Sequence, residues 1–415
     1  MNRALVLNDL RRAPGASRAE LADRLAFDRS TISNITGELL AAGLIEEIAG
    51  GRKPASPNEA PAPRAGRRAV GLRIADQRLC ALGIEIDARG YRAIVRDNSG
   101  SIRYREEGQH DFVSDTAEGI VETVGAVAFR AGEHGVRVIG AGCAVPGYVS
   151  PAEARIVHSR ELGVVDAQMY TWARVDARGR GADTPRRHGA TGGSTAGWQR
   201  RTSATAQLQK GTTDIPIVYD NDANCCAWGE LHAGGASERE NNLLFVLAKV
   251  GAEHLGIGLG LAVDGSVRSG ATHSAGELYS SEWRGDDRTQ LSIAASDLSG
   301  IRENVSVRRA FLCELLSNLI PVVSVLDPAS IVFGGVLREF YDEASGLVAS
   351  EFSTGYLGRV ASRMRRSTLA EDEMAAGAAA LVLESLFRVP RYSTGEEATS
   401  IRWEDVADTI GESVS

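Results

Sequence analysis

Apolar positions at Leu7 and Leu10 predict a short first helix, which Pro14-Gly15 closes. Ser17 is placed to cap a second helix over 18–26. Glu20, three residues on, completes a Ser-x-x-Glu capping box, and Leu21 and Leu25 face inward. A third helix is expected over 29–42, with Ile32, Ile35, Leu39 and Leu40 along one side. Its other side opens with Arg29, Ser30, Thr31, Ser33 and Asn34. After Gly43 come a strand over 44–48, a Gly/Arg/Pro-rich stretch over 50–68 and a second strand near 69–74. Helix, helix-turn-helix, strand, loop, strand is the order of a winged helix, with Arg52, Lys53 and Arg64 on the wing. Short donors and acceptors in the first turns of a helix are what a major groove can read at close range. Free amides and the dipole at the same end favour phosphate. A trihelical protein-interaction module is the alternative for this segment.

Beyond residue 75 the pattern alternates. An antiparallel meander is expected over 79–108, with turns at Gly90 and Ser99-Gly100. A helix over 116–131 leads to a buried strand over 136–145 that ends at Pro146-Gly147. A strand over 215–220, a helix over 223–233 and strands over 243–250 and 256–263 follow. A long helix over 307–326, a strand over 330–333 and a helix over 374–387 close the series. Such alternation implies mixed sheets covered by helices. Residues 174–204 hold seven Arg and six Gly with almost no apolar periodicity, and read as a long disordered surface insertion or an arginine-rich arm. The division expected is a winged-helix unit over 1–74 and a two-lobed α/β body over 75–415.

Length supports that division, since 415 residues suggest two or three domains. The net charge of −8 is uneven: residues 1–70 carry +3 and the remainder −11, so nucleic acid is expected to meet the head only. Arginine outnumbers lysine 43 to 3, a skew that a GC-rich genome explains without any ligand. The five cysteines (Cys80, Cys143, Cys225, Cys226 and Cys313) form no Cys-x-x-Cys pair, which gives no support to a disulfide framework or thiolate zinc site. The vicinal Cys225–Cys226 pair is either a redox device or two small core residues. No uninterrupted apolar run approaches the roughly 18 residues of a membrane span. Charge at Asp9, Arg11 and Arg12 interrupts what would be a signal-peptide core, so a cytoplasmic location without membrane contact is expected.

Four blocks in the body bear a resemblance. Ala144-Val145-Pro146-Gly147-Tyr148 ends a strand, and Asp220-Asn221-Asp222-Ala223-Asn224 forms a strand-to-helix turn. Gly256-Ile257-Gly258-Leu259-Gly260 with Asp264-Gly265 reads as a glycine-rich hairpin, and Gly270-Ala271 precedes Ala275-Gly276-Glu277. In this order and spacing they resemble the ROK family of sugar kinases and sugar-responsive repressors, whose body is an actin-like ATPase (ribonuclease H-like) fold. A winged helix in front resembles the repressor branch. The resemblance implies a ligand cleft at Gly147, Asn221, Asp222 and Glu277, with Asp222 matching the general base of the kinases. Side chains of this kind can converge on sugar hydroxyls. N-capping of the following helix is the alternative role for Asn221 and Asp222, and solvation the alternative for Glu277.

Departures from the family pattern bear on catalysis. The Asp-x-Gly-x-Thr of the kinases is replaced by Glu85-Ile86-Asp87-Ala88-Arg89-Gly90, and Lys249 to His254 precede the glycines with an added negative charge at Glu253. The cysteine-rich zinc loop and the histidine after the Glu277 position are absent, and His273 lies upstream. The expectation is therefore a non-enzymatic, sugar-responsive repressor with no cofactor and no metal. Its partners would be double-stranded operator DNA, contacted through Arg29, Ser30, Thr31, Ser33, Asn34 and Arg52, and a small sugar or sugar-phosphate effector. A homodimer or homotetramer would match a palindromic operator. An ATP-dependent sugar kinase with a DNA-binding head, and a DNA-binding protein with a decayed sensor, are the other readings.

Overall fold

A computed structural model describes residues 2–48, 70–175, 213–233, 241–251, 254–285 and 288–387. The head comprises α1 (Asn2–Arg12), β1 (Ala16–Ser17), α2 (Arg18–Leu25), α3 (Arg29–Ala41), β2 (Ile45–Ile48) and β3 (Gly71–Ile74). The Ser17–Glu20 capping box forms as the sequence predicts. The strands pair in the order β1-β3-β2 beside the three helices, whose Val6, Leu7, Leu10, Leu21, Ile32 and Leu39 are buried together. The wing residues Arg52, Lys53 and Arg64 lie outside the described residues.

The first lobe is built from β4 (Cys80–Ile86), β5 (Gly90–Asp97), β6 (Ile102–Gln109), α4 (Thr116–Glu133), β7 (Ala141–Val145), β8 (Tyr148–Ser150), β9 (Arg155–Ser159), β10 (Val164–Gln168), β11 (Trp172–Val175) and β12 (Thr213–Asn221). Six of these strands form a mixed sheet in the order β11-β12-β7-β4-β5-β6, with β7 parallel to both β4 and β12. The strand expected over 136–145 is shorter. Val138 and Ile139 are buried just before it, and Ile139 N donates to the Cys80 carbonyl at 2.9 Å, so the chain already lies along β4 before the regular ladder begins. Arg174 and Val175, assigned by pattern to the insertion, pair with Asp214 and Thr213 in β11; residues 176–204 lie outside the described residues.

Next comes α5 (Asp222–Ala233). The second lobe follows with β13 (Leu243–Val250), β14 (Leu255–Val263), β15 (Ser266–Val267), α6 (Val305–Leu326), β16 (Ser330–Gly335), α7 (Tyr341–Ser350), α8 (Tyr356–Val360), β17 (Met364–Arg366) and α9 (Glu373–Phe387). Its five-stranded sheet runs β15-β14-β13-β16-β17. By length and composition α6 is apolar enough to cross a membrane, although no such run is evident from the sequence pattern. Its Phe311, Leu312, Leu315, Leu316 and Leu319 are spent on the core of this lobe.

Two helices join the lobes: α9 packs on β4, β5 and β7, α5 packs on β13 and β14, and the two helices pack on each other. Gly377 makes that approach feasible, because a Cβ there would lie 1.9 Å from the Cys225 carbonyl oxygen. Cys225 and Cys226 are fully buried in this contact, and burial raises both thiols far above their ordinary range, which makes them core residues. Near the other end of α5, Glu230 accepts hydrogen bonds from Thr368 N (2.7 Å) and Ser367 Oγ (2.9 Å), fixing the segment that leads into α9.

The head is packed against this pair. Arg11 of α1 reaches Glu384 of α9 at 2.8 Å through Nη1, and His232 Nδ1 of α5 lies 2.9 Å from the same carboxylate. The Arg11 guanidinium stacks 4.9 Å from the centroid of the Phe387 ring, and Asn8 donates to the Phe387 carbonyl. One hydrophobic cluster accordingly runs from Leu7 and Leu10 through Trp228 and Leu231 to Leu386 and Phe387.

Candidate functional site

The candidate site lies where β7 and β12 end, and β14 begins, beside the first turn of α5. Asp220 is buried, and its Oδ1 accepts from Asn221 N at 2.9 Å and from Asn224 Nδ2 at 2.8 Å. Asn221 Oδ1 accepts from Asn224 N at 2.7 Å, so its carbonyl caps the first turn of α5 while its amide nitrogen is left over. Asp222 Oδ1 accepts from Ala223 N at 2.9 Å. Its other oxygen, Oδ2, lies 3.6 Å from Lys249 Nζ. Gly147 has φ +106°, and a Cβ there would lie 2.3 Å from the His158 carbonyl oxygen, so the turn from β7 to β8 requires glycine whatever binds beside it.

Glu277 is held by a backbone bridge to Gly258, and Gln290 Nε2 lies 3.5 Å from its carboxylate. Burial, with the Asp222 charge as a second cause, pushes the Glu277 carboxyl up to about 7. It is thereby biased, relative to an ordinary glutamate, toward the protonated form, which can donate a hydrogen bond. Tyr148 lies near the same carboxylate and near Tyr279 of the opposite lobe; burial, with the Glu277 charge as a second cause, pushes its phenol well up. The Asp222 charge thus acts on Glu277, and Gly147 follows the end of β7, whose Val145 pairs with Asn221.

The glycine-rich hairpin has a packing role. A Cβ on Gly258 would lie 2.9 Å from Ala223 Cβ, and one on Gly260 would lie 2.3 Å from the Ala223 carbonyl oxygen. These glycines let β14 lie directly on α5. At the turn after β4, Asp87 Oδ1 accepts from Arg89 N at 2.7 Å and from Gly90 N at 2.8 Å. The amides that a phosphate would need at this turn are already occupied by a carboxylate of the same charge sign. Glu85, Asp87, Arg89, Arg92 and Glu107 line a groove of about 390 Å³ beside it. Glu253 lies outside the described residues. Among the described residues, no three His, Cys, Asp or Glu side chains converge as metal ligands.

On the head, Arg29, Ser30, Ser33 and Asn34 are exposed at the start of α3, and Thr31 is partly so. Asp28, which the sequence pattern does not single out, caps this helix. It accepts from Thr31 N at 2.8 Å and from the Thr31 hydroxyl at 2.6 Å, and the Ser30 hydroxyl donates to it as well. Ser33 and Asn34 stand one turn further, on the outer face. Arg52 lies outside the described residues.

Residues 187–278 match the ROK family. The chain is 20% identical over 283 residues to the xylose repressor of Bacillus subtilis (strain 168), covering 67% of this chain and 59% of that one. It thus spans about three fifths of the length of the curated relatives it matches. A stretch of 66 residues is 35% identical to the glucokinase of Halalkalibacterium halodurans, which is 16% of this chain and 18% of that enzyme. Among solved structures, a ROK family transcriptional regulator described as a homolog of E. coli MLC protein aligns with a TM-score of 0.61 at 16% identity, covering 99% of this chain and 98% of that one. At that identity the likeness establishes the fold, and it extends over head and body together.

Proposed function

From the premise that the chain carries a ROK family domain, we propose that it is a sugar-responsive, DNA-binding transcriptional regulator, a repressor of carbohydrate-utilisation genes. The observation that carries this reading is the path from cleft to head. Helix α5 begins at Asp222 in the cleft and carries His232, one residue before its end, on the carboxylate that Arg11 of the head also grips. Twelve residues at 1.5 Å each make a rigid rod of about 18 Å. A ligand that binds one lobe arrangement better than another biases the head through this rod, by no more than its differential affinity.

The DNA face assigned here is Arg29, Ser30, Thr31, Ser33 and Asn34 on α3, with Arg52 on the wing. A symmetric homodimer or homotetramer would set two such heads on half-sites about one helical turn apart, or a multiple of it. The cleft is read as non-catalytic because at the turn after β4 Asp87 already takes the Arg89 and Gly90 amides and brings a negative charge where nucleotide phosphates would sit. Phosphoryl transfer is the rival, favoured by the retained Asp222; ADP production that depends on hexose and vanishes in Asp222→Asn would establish it.

The test is selection of duplexes from a random pool, followed by anisotropy titration with and without sugar. A palindromic site should emerge, and Asn34→Ala should weaken binding about tenfold at one base position while sparing others. Sugar should change operator affinity in the wild type, and Asp222→Ala should bind DNA normally while losing that response. A sugar at about 100 times its Kd stabilises the native state by roughly 2.7 kcal/mol, so the same loss should be visible in melting curves. Enrichment of no sequence from the pool would overturn the reading.

A further inference from the structure

Lys249 brings to the cleft a chemistry that Asp222 and Glu277 lack. It stands near the end of β13, with its Nζ 3.6 Å from Asp222 Oδ2 and 3.6 Å from Glu161 Oε2. Both distances are too long for hydrogen bonds. Nζ is shielded from solvent and has no hydrogen-bond partner, and Glu85 Oε2 nearby is in the same condition. Burial alone would lower the Lys249 amine, but the charges of Asp222, Glu161, Glu85 and Asp87 outweigh it and keep the amine protonated. An ammonium with three unused donors thus sits among carboxylates with unused lone pairs.

A hydroxyl group can satisfy both at once, since its oxygen accepts from Nζ while its proton goes to a carboxylate. A phosphate or carboxylate ligand can satisfy only the ammonium. It also brings negative charge against Asp222, Glu161, Glu85 and Asp87, in a region where water does little screening. A ligand cation would meet Lys249 itself. We propose that Lys249 and Asp222 together select an uncharged polyol, adjacent hydroxyls of which bridge Nζ and Oδ2, and that they discriminate against its phosphorylated form. This rests on the sensor reading of the cleft and narrows it from sugars and sugar phosphates to sugars alone.

Calorimetric titration of the full chain tests it with D-glucose, D-mannose, N-acetyl-D-glucosamine, D-xylose and the 6-phosphates of the first three. At least one uncharged sugar should bind, with any phosphorylated counterpart at least tenfold weaker. Lys249→Gln, checked for folding by circular dichroism, should lose at least tenfold in affinity for that sugar. The phosphate comparison uses the wild type and stands even if the variant fails to fold. A sugar phosphate that binds as tightly as its parent would overturn the inference and leave the sensor reading intact. A folded Lys249→Gln with unchanged affinity would remove Lys249 from the site. Heat from no compound would bring down both the inference and the sensor reading.

Discussion

Replacing Glu384 with alanine is expected to cost about 3 kcal/mol and to loosen the head from the body. The carboxylate is 17% exposed and serves two groups from different parts of the chain, the Arg11 guanidinium and the His232 imidazole. Removing it leaves a largely buried guanidinium without its partner, the situation in which a buried ion pair is most costly to break. The acid limb of stability should report the same group. Burial acts to raise the Glu384 carboxyl, but hydrogen bonds from His232 and Arg11 and the Arg11 charge prevail and hold it at about 2. A carboxyl depressed on folding stabilises the native state above its unfolded value of 4.5, and that contribution disappears as pH falls toward 2. Denaturation of wild type and Glu384→Gln between pH 6 and pH 2 checks this, with both pH limits approximate. Their stabilities should differ most near neutrality and converge at the acid end. A constant gap would mean that the carboxylate is not what joins head to body.

Where causes are local, the sequence was a sufficient guide. Ser17 and Glu20 sit three apart and cap α2 as expected, and β13 spans the predicted 243–250 because its apolar run is continuous and bounded. Strands β8 to β10 went unpredicted, since runs such as Arg155–Ser159 and Val164–Gln168 are short and mixed and are stabilised by each other. Asp222 and Glu277, named from separate motifs, lie near enough for the Asp222 charge to act on the Glu277 carboxyl. Lys249 was not legible, because a lone lysine in a strand shows its meaning only when Asp222 and Glu161 arrive from other elements. Arg11 and Glu384 lie 373 residues apart, and no periodicity relates them. The glycine hairpin was read for its likeness to the family, whereas Gly258 and Gly260 are small because α5 lies on them.

The same substitution in two helices should have opposite effects. Glycine to alanine in a helix interior ordinarily gains up to about 1 kcal/mol, through the helix propensity of alanine and the reduced freedom of the unfolded chain. Gly346 in α7 has nothing within 4 Å of where its Cβ would stand, so Gly346→Ala should raise the melting temperature slightly. Gly377 in α9 is the contrary case. Its added Cβ would stand 1.9 Å from the Cys225 carbonyl oxygen and 2.2 Å from the carbonyl carbon, and that backbone belongs to the middle of α5. No side-chain rotation relieves such a contact, so the helices must separate. Overpacking of this kind costs about 1–3 kcal/mol or more, which outweighs the propensity gain. The consequence reaches beyond stability, because α5 holds Asp222 at its first residue and His232 near its last. Moving α5 away from α9 displaces Asp222 from Lys249 and His232 from Glu384 together. Gly377→Ala should therefore lower both the melting temperature and the affinity for sugar, while Gly346→Ala leaves sugar affinity unchanged. Equal melting temperatures for the two variants would show that the α5–α9 contact yields without cost, and the rod between cleft and head would lose its physical basis.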